Sequence, residues 1–414
     1  LSDWAIRVYL IAQSESLPPM ANNKRRLILA LAFNKLADLL ASAKTTLPAL
    51  LLSLSAPVWM VAWLVPIRES GALLPQAFIG VYLRKHEARH HVWRLGMALQ
   101  ICAITTTLLA ALVLSGVAAG AVVLTALVAL SIGRSACSLT IKDMEADVAE
   151  KGERGRLVGI ASTASGLMTL CVAVPLVYYQ QALQNYAVIG LVAGSSVSFI
   201  ITLLCLLPVK TYVKAEDNNK GQGGSDDENR RLLSVNFDRT VYTFIAVRGL
   251  FVHSALVAPY FMLESDQKAT SLLPVYLAAQ ALAALLSSFL WGKVADKSAR
   301  STLQIAGILA LSACVALLVF NPNGLWFSAL LFFVLSVAHA GVRTGRKTYS
   351  LDVKEGQGRT ELVGFSNTAI GLILLAFGGL YAFLSSVLTF SVVYIMAAML
   401  VVAIISTIFL PKEK

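Results

Sequence analysis

Four stretches of this chain, residues 95–133, 157–209, 302–342 and 362–411, contain no Asp, Glu, Lys or Arg. The shortest is 39 residues long, about twice the ~20 apolar residues that one helix needs to cross the hydrocarbon core of a bilayer. In water such a run would have no charged face to present. It reads instead as two membrane-crossing helices joined by an uncharged turn. Two shorter charge-free stretches, 45–67 and 269–292, each fit one further span. The runs are continuously apolar and lack the ~10-residue alternating segments of a membrane barrel, so helices are expected. Composition agrees: 57% of the residues are apolar, aromatic or cysteine and only 14% are charged, against about 25% charged in soluble domains. Disorder is excluded too, because disordered chains are poor in apolar residues.

Ten spans follow from these gaps, and two more, the first and the seventh, carry charges; the twelve lie near 27–50, 57–82, 95–115, 118–141, 157–179, 187–207, 241–263, 270–291, 302–320, 325–345, 361–385 and 388–410. If they alternate in direction, 27 of the 34 Lys and Arg residues fall on one side, and only Lys268 stands in a loop on the other. Basic loops mark the cytoplasmic face. Both termini are therefore expected in the cytoplasm, the chain being multi-pass in a plasma membrane of the bacterial inner-membrane kind. The net charge of +11 then encodes orientation in a lipid bilayer, and no nucleic-acid partner is expected. Met20, followed by a basic segment, reads as a start, so residues 1–23 are taken as a tail. Residues 24–209 form one six-helix half, 210–240 a polar glycine-containing cytoplasmic linker, and 241–414 a second half. The expected fold is all-α and integral to the membrane. The five cysteines stand singly in apolar segments, with no C-x-x-C pair, so neither a disulfide framework nor a metal site is expected, and no cofactor.

The halves repeat. At an offset of 205 residues, Leu157, Val158 and Gly159 match Leu362, Val363 and Gly364; Thr163 and Ala164 match Thr368 and Ala369; Gly166 and Leu167 match Gly371 and Leu372. Just upstream, Lys142, Asp147, Glu150 and Arg154 fall on Lys347, Asp352, Glu355 and Arg359. The match preserves span direction, as a parallel duplication requires.

Between spans eight and nine, Gly292 is followed four residues later by Asp296, then by Lys297 and Arg300. With the twelve spans and the duplication, this resembles the major facilitator superfamily of secondary transporters and its short cytoplasmic signature. At the equivalent place in the first half Gly80 is kept, but Arg84 stands where the acid belongs. The resemblance also covers Arg134 in span four. It implies a conformational latch among Gly292, Asp296, Arg300, Arg134, Arg343 and Arg346. Without the resemblance, a carboxylate at a helix end can still pair with Arg343 or Arg346 at a neighbouring end.

Charges inside the hydrocarbon region are few. The carboxylates are Asp38 and Glu69; the cations are Lys35, Lys44, Arg68, Arg134 and Arg248, with His253 and His339 as titratable extras. A charge at mid-bilayer costs about 3 kcal/mol or more and turns toward a cavity or a partner. In span one, Asn34, Asp38 and Thr45 share one face of a continuous helix. Asp38 and Glu69 are the candidates for proton coupling, with Lys35 as an alternative, purely structural partner of Asp38. Asn34, Arg68 and Arg248 are the candidates for substrate contact, with Arg68 also placed to pair with Asp38. Arg68 and Glu69 point about 100° apart on a helix and should have separate partners. His86 and His90 have the spacing of a metal pair but lie in a basic loop, where solvated side chains are expected.

The expected function is secondary active transport of a small organic solute by alternating access, coupled to protons, by a monomer that is not an enzyme. A proton-antiport multidrug exporter is the alternative within that class. A transporter-like membrane sensor or scaffold is the alternative outside it.

Overall fold

A computed structural model describes residues 19–84, 87–148, 154–212, 239–265, 267–320, 324–352 and 356–410. The tail before Pro19, most of the 210–240 linker, and His86, Glu150 and Glu355 lie outside the described residues. All twelve expected spans are helical. Span one comprises α1 (Pro19–Leu40) and α2 (Thr46–Ser53); span two comprises α3 (Val58–Ala62), α4 (Leu64–Leu73) and α5 (Pro75–Arg84). Spans three to six are α6 (Arg89–Val113), α7 (Gly116–Val148), α8 (Arg154–Tyr178) and α9 (Gln180–Leu206). Span seven is divided into α10 (Arg239–Leu250), α11 (His253–Leu256) and α12 (Tyr260–Leu263). Spans eight to eleven are α13 (Ala269–Ala295), α14 (Ala299–Phe320), α15 (Leu325–Asp352) and α16 (Gly356–Val387). Span twelve is α17 (Val393–Ser406) with a final 3-10 turn, Thr407–Phe409. Among the described residues, nine segments are long and apolar enough to cross a membrane; spans one, two and twelve are divided or shorter.

The break in span one lies in its sequence. Pro48 has no N–H to donate to the carbonyl of Lys44, and its ring crowds that carbonyl, which disfavours a continuous α-helix at this point. The chain turns over residues 41–45: Leu47 N–H reaches back to Ser42 O at 3.0 Å, and Ser42 Oγ accepts from Lys44 N–H at 3.2 Å. In span seven, Pro259 has the same effect before α12. The expectation of a single helical face through Asn34, Asp38 and Thr45 is thereby corrected: Asn34 and Asp38 share α1, whereas Thr45 belongs to the turn.

The two halves pack alike. Span three lies along span four as nine lies along ten; one meets five and six as seven meets eleven and twelve; two meets four as eight meets ten. The halves touch each other mainly through spans five and eight and spans two and eleven. These contacts use the repeated glycines. A Cβ on Gly166 would lie 2.6 Å from Leu285 Cδ2, and one on Gly371 would lie 2.7 Å from Leu74 Cγ. Only glycine leaves room for each leucine. Within the first half, spans three and four cross at Gly96 and Gly133, each of which would drive a Cβ into the other's carbonyl oxygen (2.8 and 2.5 Å). Small residues permit such approach where no hydrophobic force acts between helices.

The outer surface is apolar. Leu95, Leu109, Leu112, Val128, Ile305, Ile308 and Ile405 are exposed large hydrophobics at helical spacings, a belt that lipid would cover. Hydroxyls within the spans mostly bond to their own helix, as Ser131 does to Leu127 O (2.7 Å) and Thr169 to Ser165 O (2.8 Å). Backbone-bonded hydroxyls remain satisfied without water.

Candidate functional site

A cavity of about 320 Å³ lies between the halves. Spans one, four and five contribute Lys35, Asp38, Lys44, Arg134, Ser162 and Ser165 to its wall. Spans seven, eight and ten contribute Ser254, Gln280, Ser287, His339, Arg343 and Thr344. Its wall is exposed where span ten reaches Arg343, toward the face that bears the basic connections. Toward the opposite ends of spans seven and eight, Tyr260, Phe261, Leu272, Leu273 and Tyr276 are buried.

Asp38 is the hub. One of its carboxylate oxygens, Oδ1, accepts from Arg68 of span two and from Arg134 of span four. The Arg68 side chain is 10% exposed and that of Arg134 38%. Arg68 is thus the buried partner and Arg134 the one that faces the cavity. Lys35, the alternative partner of Asp38, turns to span five instead, where its Nζ donates to Ser162 Oγ and to Val158 O (3.4 Å). Lys44 sits on the broken turn. The same turn sends Ser42 Oγ and Thr45 Oγ1 to Gln280 Oε1 of span eight, at 3.2 and 3.3 Å. The break in span one therefore delivers polar groups across the boundary between the halves.

Glu69 has a different set of partners from its neighbour Arg68. It lies half-buried in the field of Lys44, Arg346, Arg134 and Arg343. Asn34 is half-buried and off the cavity wall; its Oδ1 has no hydrogen-bond partner. Arg248 is also off the wall. It donates to Ser366 Oγ (2.5 Å) and Asn367 Oδ1 (2.8 Å) of span eleven, and Asn367 Nδ2 donates to Gln76 Oε1 of span two (3.2 Å). Of the three residues expected at the substrate, none lines the cavity, and Arg68 reaches it only through Asp38.

The latch residues are scattered. Asp296 is exposed at the end of α13, its N–H closing the last turn onto Gly292 O at 3.0 Å. Arg300 ties span nine to Ile408 O near the end of span twelve at 3.4 Å. Arg343 lines the cavity and Arg346 lies near Glu69. Among the described residues the structure brings neither within ion-pairing distance of Asp296. An ion pair that sequence reasoning missed joins Arg89 to Asp143 at 3.2 Å, between the starts and ends of spans three and four on the basic face. His90 beside it is buried, not solvated, and bonds to Thr211 O at 3.0 Å. Among the described residues no cluster of three or more His, Cys, Asp or Glu is placed to hold a metal ion. Reasoning from charge alone also passed over the serines of the wall. Ser162 and Ser165, three residues apart in a span without charges, were the visible signal.

No family model and no curated protein matches this sequence. Solved structures do. A crystal structure of a D-xylose-proton symporter superposes with a TM-score of 0.68 at 14% identity, over 96% of this chain and 99% of that one. This is the major facilitator fold. The inward-open xylose transporter XylE from E. coli gives 0.63 at 15% identity, over 95% and 97% of the two chains. A POT family transporter bound to a thioalcohol-conjugated peptide gives 0.66 at 11%, over 93% and 94%. Both halves of the facilitator fold are therefore present nearly end to end. In this chain they enclose a cavity whose central carboxylate is held from two other spans of its own half.

Proposed function

We propose that the chain is a secondary active transporter that moves a small organic solute by alternating access, coupled to protons. The observation that carries this reading is the cavity between two like-packed halves, with Asp38 at its wall engaged by Arg68 and Arg134. A carboxylate held by cations from two spans is a conformational lever: protonating it removes the charge that both guanidinium groups bind. Proton arrival and rearrangement of spans one, two and four are thereby linked. The transporters that share the fold include a proton symporter, which favours the same coupling. With its wall exposed toward the basic face, the conformation described corresponds to access from the cytoplasm. A cavity near the lower end of the ~300–1,000 Å³ found for ligand pockets suits a metabolite better than the bulky substrates of a multidrug exporter.

The test uses the purified chain in proteoliposomes and a panel comprising a sugar, a dipeptide, a dicarboxylate and a lipophilic cation. One class should show counterflow, and an imposed pH gradient should drive its accumulation. Asp38→Asn should abolish accumulation while counterflow persists. Full gradient-driven accumulation in both Asp38→Asn and Glu69→Gln would sink the coupling assignment. Absence of counterflow across the panel would count against transport itself.

A further inference from the structure

The charges around the cavity do not balance. Within mutual electrostatic reach lie six cations, Lys35, Lys44, Arg68, Arg134, Arg343 and Arg346, and three carboxylates, Asp38, Glu69 and Glu145. His339 also faces Lys44, Arg343 and Arg346. Asp38 is already engaged by two of the arginines. Four cations, Lys35, Lys44, Arg343 and Arg346, then stand against two carboxylates, Glu69 and Glu145. Neither of these carboxylates lines the cavity, whereas Lys44, Arg343 and Lys35, which is bonded to neutral oxygens, do. Concentrating positive charge in a low-dielectric interior is unfavourable unless something negative completes it. The wall also holds two hydroxyls without partners. Ser165 Oγ and Ser287 Oγ are buried, at 1% and 4% residue exposure, and neither makes a hydrogen bond. They come from spans five and eight, one from each half. A buried hydroxyl left unpaired is costly, and both are lining residues of this cavity.

We propose that the cavity takes a small organic anion carrying two or more negative charges, its acidic groups on Lys35, Lys44 and Arg343 and its oxygens also accepting from Ser165 and Ser287. This rests on the transporter reading of the same site and specifies the substrate class. Lys44 lies on the break of span one, and Arg343 and Ser287 belong to the other half, so the anion is gripped by both halves at once. A neutral sugar would leave the excess charge uncompensated, and a lipophilic cation would add to it.

The experiment is binding to the purified full chain in nanodiscs. The probes are succinate, citrate and glycerol 3-phosphate, compared with a neutral sugar and tetraphenylphosphonium, followed by thermal stabilisation and calorimetry. At least one multivalent anion should bind tenfold or more tighter than the sugar or the cation. Its affinity should fall tenfold or more in Lys44→Gln and Arg343→Gln and recover in large part in Lys44→Arg. Ser165→Ala and Ser287→Ala, which remove no existing hydrogen bond, should each weaken it severalfold without loss of folded protein. Binding of the sugar or the cation as tight as that of the anions overturns the proposal, as does anion binding unchanged in all four loss variants, or no anion binding by folded protein. Anion binding that shows this pattern without counterflow would keep the anion site and overturn transport. Counterflow of a neutral solute alone would do the reverse.

Discussion

At the scale of single residues, the organising fact is that one carboxylate oxygen serves two arginines of unequal burial. Removing one partner of a buried pair leaves a charge uncompensated and typically costs about 3–5 kcal/mol. Because Arg134 remains on Asp38, Arg68→Leu should cost about 3 kcal/mol, the lower end of that range. Arg134→Leu should cost less, since its side chain is 38% exposed and partly screened. Thermal unfolding in detergent reads the difference: the Arg68 variant should melt clearly below the Arg134 variant, and adding Asp38→Asn to Arg68→Leu should restore part of the loss. Equal melting of the two single variants would contradict the unequal burial. The sequence made Asp38 and Arg68 visible because charges in a 57% apolar chain are rare enough to enumerate. Their pairing with each other was visible as one option and is found, but Arg134 as the second partner of Asp38 was not. Lys35, three residues before Asp38, was a natural partner on a helix and turned to Ser162 instead, because span five supplies two oxygens beside it. Arg248 looked central by depth, but Ser366 and Asn367 hold it away from the cavity. Depth in the membrane can be estimated from distance along a span; direction around the helix depends on what the neighbouring spans offer.

At the scale of elements, ten of the twelve spans were legible from the charge gaps and the other two, one and seven, from their apolar character despite their charges, but the breaks in them were not. Hydropathy reports how apolar a segment is and is blind to a missing N–H. Pro48 and Pro259 were in plain view, yet membrane helices tolerate proline when neighbours satisfy the freed groups, so a proline alone does not locate a break. In span one the freed groups are satisfied locally, by Ser42 and its carbonyl. Pro48→Ala restores a donor for the Lys44 carbonyl and should lengthen the helix across 41–45. The expected outcome is a protein of equal or higher thermal stability with transport reduced several-fold, because Ser42, Thr45 and Lys44 no longer reach the site. Unchanged counterflow would mean that the break is dispensable. In span three, Gly96→Val places a branched side chain against the Gly133 carbonyl and should prevent proper packing of spans three and four, read as loss of monodisperse protein in gel filtration.

At the scale of the molecule, the cavity wall is exposed at Arg343 whereas the far ends of spans seven and eight are buried, which makes access a measurable property. In a variant whose five native cysteines have been replaced, Ser336→Cys and Thr344→Cys on the cavity wall should react with a membrane-impermeant thiol reagent from the side that bears the basic connections. Tyr276→Cys, buried at the opposite end, should not react from either side in this conformation. Labelling of Tyr276→Cys alone would mean that the resting state opens the other way. Both outcomes also orient the chain, and so check the cytoplasmic placement expected from 27 of its 34 basic residues.

The paired seats at Gly166 and Gly371 carry a mechanical consequence. Each accepts a leucine from the opposite half, and the two glycines stand 205 residues apart, the same spacing that relates the halves. A methyl group resting on bare backbone makes only dispersion contacts, which are individually weak and have little preference for angle. Such a joint resists separation yet permits sliding, and one lies between spans five and eight, the other between spans two and eleven. The joint itself then has no favoured setting. The occupancy and charge of the cavity between the two joints can then weigh on which way the molecule faces.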